Sequence, residues 1–123
     1  MPRQLRLALW GGLAAAGLAI LYFGLISDTP LPDHRLIVGW NDFLLHAAAF
    51  ASLALVAFAL LSPMLRVACC VMLLGIGLEL LQAFSPRHEP SLQDVLANGT
   101  GISAAAVAFL ALRWAVPLCR QWT

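Results

Sequence analysis

Lysine is missing from this chain altogether, and its seven basic residues are all arginine. With a formal net charge of +1 and no basic cluster, nothing is present to track a phosphate backbone, which argues against nucleic acid as a partner. Charge of either sign is scarce: 11% of the 123 residues are charged and 62% are hydrophobic, with a mean hydropathy of +0.88. A soluble domain of this length cannot bury so much apolar surface, so the chain reads as an integral membrane protein with no soluble domain. Cysteine is also sparse. Cys69 and Cys70 are adjacent inside an apolar run, Cys119 lies near the C-terminus, and no CxxC spacing occurs. They read as small packing residues, not as ligands or bridges. No internal repeat and no glycine-rich phosphate loop is evident.

What is there is four apolar runs, Leu7 to Ile26, Phe43 to Ser62, Val67 to Phe84 and Val95 to Leu112, each of 18 to 20 residues. About 20 helical residues cross a hydrocarbon core of roughly 30 Å. The expected fold is therefore all-α, one domain over residues 1–123, with four transmembrane helices near 5–27, 42–62, 64–84 and 92–116 in an antiparallel bundle. Arg3 and Arg6 precede the first run in the manner of a secretory signal, but the run exceeds the roughly 7 to 15 residues usual for one, so it is read as a retained helix. Its GGLAAAG segment sets Gly12 and Ala16 four residues apart, a spacing that admits a close neighbour. Pro30 and Pro32 interrupt the loop that follows, and Asn41 or Asp42 is placed to cap the second helix. Ser62-Pro63 turns the chain into the third helix, and Ser91-Leu92-Gln93-Asp94 has the S-x-x-D form of a capping box at the start of the fourth.

If all four runs cross, Arg3, Arg6, Arg66, Arg113 and Arg120 share one side and only Arg35 and Arg87 lie on the other. The positive-inside rule then places both termini in the cytoplasm. All six acidic residues fall at or near the opposite, outer face.

Polar residues recur on that face at helical spacing. Asp42 and His46, Glu79 and Gln82, and Asp94 and Asn98 each share one face of a helix, and Gly75 and Gly101 extend two of those faces with almost no side chain. Convergence of these faces would put His46, Glu79 and Asn98 in one layer, with Asp42, Gln82, Arg87 and Asp94 at its mouth. Glu79 carries most weight, because a carboxylate inside a membrane-length run costs roughly 2.5 to 3.5 kcal/mol on insertion scales and rarely persists without a task or a partner. Glu79 and His46 form a candidate catalytic pair for proton transfer, while Asp42, Gln82, Arg87, Asp94 and Asn98 are candidate ligand-binding residues. No Ser or Cys nucleophile stands beside a base in this layer. His46, Glu79 and Asp94 are suitable metal donors, but without a second histidine at ligand spacing no metal or other cofactor is assigned.

The series Asp42-x3-His46, Glu79-x2-Gln82 and Arg87-x3-Ser91-x2-Asp94-x3-Asn98-x2-Gly101 resembles the VanZ-like family of small bacterial membrane proteins, over about half of the chain. The chain has Phe43 where the family often has lysine, Ala47 and Phe50 where it often has phenylalanine and tyrosine, and Ala105 where a second glycine is common. The namesake is associated with low-level teicoplanin resistance, a glycopeptide resistance, so the resemblance implies a broad role in the cell envelope and residence in the bacterial inner membrane.

Plainer roles stand beside these. Asp94 and Asp42 serve as caps, His46 as an interfacial histidine bonded to water or lipid, Arg87 as a lipid-phosphate contact, and Gln82 and Asn98 as interhelical hydrogen bonds worth on the order of 0.6 kcal/mol each. Glu79 could be a structural group paired to Asn98 or Gln82. Three functions follow: an outward polar pocket that binds or modifies an amphiphile such as a lipid-linked cell-wall precursor, a proton-coupled transporter or flippase, or an accessory subunit docking on a partner through helix one. Membrane lipids are implied partners in all three. The inner halves of the helices hold no charged residue, which weighs against transport.

Overall fold

A computed structural model describes residues 1–22, 38–84 and 91–116, apart from the side chains of residues 38–42. It contains four helices: α1 (Arg3–Leu21), α2 (Val38–Leu60), α3 (Met64–Gln82) and α4 (Leu92–Ala115). All four are long and apolar enough to cross a membrane, as a multi-pass membrane protein requires.

Their ends follow local chemistry. Pro63, extended at φ −77° and ψ 148°, is the N-cap of α3, a place where its missing N–H costs nothing. Ser91 caps α4, its hydroxyl accepting from the Gln93 N–H at 3.2 Å. Val116 is extended because the residue before a proline is driven out of the helical region, and α4 stops at Ala115. One boundary differs from the sequence reading: α2 begins at Val38, so Asn41 and Asp42 lie inside its first turns and do not cap it. His46 therefore sits eight residues, about 12 Å, into α2, and not the single turn expected from a start near residue 42.

The most extensive interface joins α2 to α4, α1 leans on α2, and α3 touches both α2 and α4. Contacts between α2 and α4 step together: His46 with Asn98, the Ala47 backbone against Gly101, Phe58 with Phe109. The two helices run in the same direction, with their first residues nearly level. Gly101 is the reason they can approach. A Cβ built there would run into the Ala47 carbonyl oxygen and stand 2.9 Å from its carbon and 3.0 Å from its Cα.

The core is made largely of small and aromatic residues: Ala54, Ala57, Ala97 and Ala105 beside Phe50, Phe58 and Phe109. Leu7, Leu65, Leu73 and Val107 point outward, as they should where the surroundings are acyl chains and burying them yields no hydrophobic gain. Cys69 and Cys70 are also exposed, which corrects their reading as packing residues. No residue of α1 is buried, and it rests on the core only through partly buried Leu13, Ala16 and Ile20. Of the small pair expected to receive a neighbour, Ala16 is used within the chain, whereas Gly12 meets none of the described residues.

Candidate functional site

One side chain from each of α2, α3 and α4 meets near the start of α4. His46, Glu79 and Asp94 each present a donor atom, and the three atoms lie within 4.8 Å of one another. The Nε2 of His46 stands 4.0 Å from Asp94 Oδ2, within ion-pair reach but too far for a hydrogen bond. Asp94 and Asn98 are one helical turn apart on the same face of α4, which lets His46 address both. Its Nδ1 lies 3.3 Å from Asn98 Oδ1. With a carbonyl oxygen as acceptor, Nδ1 is the donor of this bond, and Nε2 faces Asp94.

Glu79 is 4% exposed and is held from another helix. Its Oε2 accepts the backbone N–H of Ser91 at 3.2 Å. In a capping box that N–H is the group a carboxylate at the fourth position would engage, and here a glutamate 12 residues upstream takes it. The Ser91 cap thus joins two tasks: its hydroxyl starts α4, and its amide orients the buried acid.

Asn98, at 1% exposure, is among the most enclosed side chains. Its Nδ2 has no hydrogen-bond partner among the described residues and points at Gly75, where an added Cβ would stand 3.0 Å from that nitrogen and 3.0 Å from Phe50 Cε1. Gly75 therefore makes room for Asn98 and Phe50 at once.

The layer of His46, Glu79 and Asn98 expected from the sequence is assembled, with two corrections to its mouth. Asp94 belongs to the cluster itself, its side chain only 15% exposed beside His46 at 20%. Gln82 is buried at 5% exposure, one turn from Glu79 at the end of α3. The Asp42 side chain and Arg87 lie outside the described residues. Glu79 is fixed through Ser91, a contact that was not anticipated. The S-x-x-D pattern marked the cap, but no spacing in the chain signals that an acid on α3 reaches it.

An apolar groove of about 550 Å³ runs between α1, α2 and α3, lined by residues such as Leu13, Gly17, Leu53, Ala57 and Val71. It includes none of the polar cluster, and its lining suits a lipid chain. Comparison of the chain with family models, with curated proteins and with solved structures returns no match.

Proposed function

We propose that this chain is a VanZ-like, multi-pass protein of the bacterial inner membrane. In this reading its helices alternate in direction, both termini are cytoplasmic, and the polar layer opens to the outer face. There it binds the headgroup of a phosphorylated amphiphile of the lipid-linked cell-wall precursor type. The observation that carries the reading is the convergence of His46, Glu79, Asp94 and Asn98 from three helices inside an otherwise apolar bundle. Ionisable groups at membrane depth are costly to keep, and four polar side chains collected in one place are harder to ascribe to packing than any one alone. Asn98 and Asp94 orient the headgroup, Glu79 and His46 handle protons, and Arg87 and Asp42 work at the approach, Arg87 by charge-assisted bonds to phosphate.

The test is the lipid that travels with the protein. Native mass spectrometry of protein extracted in mild detergent from bacterial membranes should find a phosphorylated amphiphile on the wild type. Glu79→Gln, at equal abundance, should lose it. An unchanged lipid complement in that variant would remove the headgroup reading.

A second reading, an accessory subunit that docks through α1, is favoured by one separate observation. Among the described residues that helix buries none of its own, and Gly11, Gly12 and Gly17 have no neighbouring atom within 4 Å of a built Cβ. Transport gains no such support, since the core beside the polar layer is filled by Phe50, Leu53, Ala54 and Phe58.

A further inference from the structure

Beyond holding a headgroup, the polar cluster has the makings of a metal centre. The donors are one imidazole nitrogen and two carboxylates from three different helices, all within 4.8 Å. Such a mixed nitrogen and oxygen set suits a divalent first-row ion of the Zn²⁺ or Mn²⁺ kind. Two donors bound to one ion at roughly 2.1 Å stand about 3.4 Å apart at a tetrahedral angle. The 4.0 Å between His46 Nε2 and Asp94 Oδ2 exceeds that by about 0.6 Å.

Two further contacts have the form of outer supports. Metal-bound histidines commonly donate their second N–H to an oxygen that fixes the ring, and Asn98 Oδ1 takes that place at His46 Nδ1. Ligating carboxylates are likewise hydrogen-bonded from behind, and the Ser91 N–H does this for Glu79. Asn98 and Ser91 therefore act on two different donors from outside the trio. A divalent ion also answers the electrostatic difficulty of the place: two carboxylates this close repel each other strongly where water is scarce.

We infer that His46, Glu79 and Asp94 form a binding site for a divalent transition-metal ion, with Asn98 and Ser91 orienting the ligands and at least one coordination position left for an oxygen of the bound headgroup. The last part rests on the headgroup reading; the ion site does not, and while an ion is bound His46 and Glu79 are its ligands in place of proton carriers.

The test uses Co²⁺ as a spectroscopic stand-in, with Zn²⁺ as competitor, on the full chain in maltoside detergent free of phosphorylated lipid. Cys69, Cys70 and Cys119 are replaced by alanine and any affinity tag is removed, so that thiols and tag histidines cannot bind. One equivalent of Co²⁺ should give visible d–d bands that Zn²⁺ abolishes. Binding should be lost in His46→Ala and weakened at least tenfold in Glu79→Gln and Asp94→Asn. Asn98→Ala should weaken it by about 10- to 100-fold, as removal of an outer partner does. Should His46→Ala fail to fold, Zn²⁺ should still raise the melting temperature of the wild type and not that of Glu79→Gln. No saturable binding, or binding undiminished in Glu79→Gln, would overturn the site. Because no headgroup is present in this assay, that result would leave the lipid reading to its own experiment.

Discussion

Asn98 is the residue on which the polar cluster turns. Its carbonyl holds His46, its amide nitrogen lies against the space left by Gly75, and it is almost wholly enclosed. Asn98→Ala should lower stability by about 0.6 kcal/mol, the average for interhelical hydrogen bonds in a membrane protein, and by no more than about 1.7, read as a fall in melting temperature in detergent. Gly75→Ala should act on the same place from the other side. Its new methyl meets Asn98 and Phe50 at 3.0 Å, so the two side chains must give way, at a cost of about 1 kcal/mol or more. Equal stability in both variants would mean that the enclosure of Asn98 matters little. At this scale the sequence showed much of the cluster. Glu79 stands out because a carboxylate in an apolar run is conspicuous, and the four-residue spacing of Asp94 and Asn98 places both on one face. The bond from Ser91 to Glu79 was hidden, since it joins groups whose proximity is set by how α3 docks on α4.

Among the elements, the α2–α4 pair dominates, and glycine decides it. Gly101→Ala puts a methyl into the Ala47 backbone, which cannot rotate away as a side chain can. A loss of about 1 to 3 kcal/mol is expected, although alanine is the better helix former by about 1 kcal/mol. Gly77→Ala is the matched control on α3: a Cβ there meets nothing within 4 Å, so the melting temperature should stay the same or rise slightly. Ser91→Ala removes the hydroxyl that caps α4 but keeps the N–H that reaches Glu79. It should cost about 1 kcal/mol while leaving Co²⁺ binding nearly intact. The four helices were legible from hydropathy and from Pro63, Ser91 and Pro117 as breaks. The start of α2 was not. Val38-Gly39-Trp40 precede the polar Asn41 and Asp42, and a cap was the natural reading of those two until the helix was seen to run through them.

At the scale of the whole molecule, a tight group of α2, α3 and α4 carries a loosely seated α1. Gly12→Leu should leave the melting temperature of the isolated protein unchanged, because no atom of the described residues lies within 4 Å of a Cβ built there. If α1 is a docking surface, the same substitution should abolish co-purification of a partner membrane subunit. The proposed orientation has its own check in a cysteine-free background. A probe at Gln93, which is exposed near the start of α4, should react with an impermeant reagent added outside intact cells. A probe at Arg66, near the opposite end of α3, should not, and the reverse result would invert the topology. Hydropathy gave the number of helices but could not rank their contacts, because lipid-facing and helix-facing residues are equally apolar. Only the glycines hint at where backbones meet, and among the described ones just Gly101 touches a neighbouring backbone.

That contact has an electrical consequence. Two helices that start level and run together add their peptide dipoles, so the face near residues 38 and 92 carries the positive ends of both and the far face the negative ends. Asp94 in the first turn of α4 and Arg113 in its last are each placed on the side that suits their charge. The two positive ends therefore offset part of the negative charge that Glu79 and Asp94 bring to the start of α4.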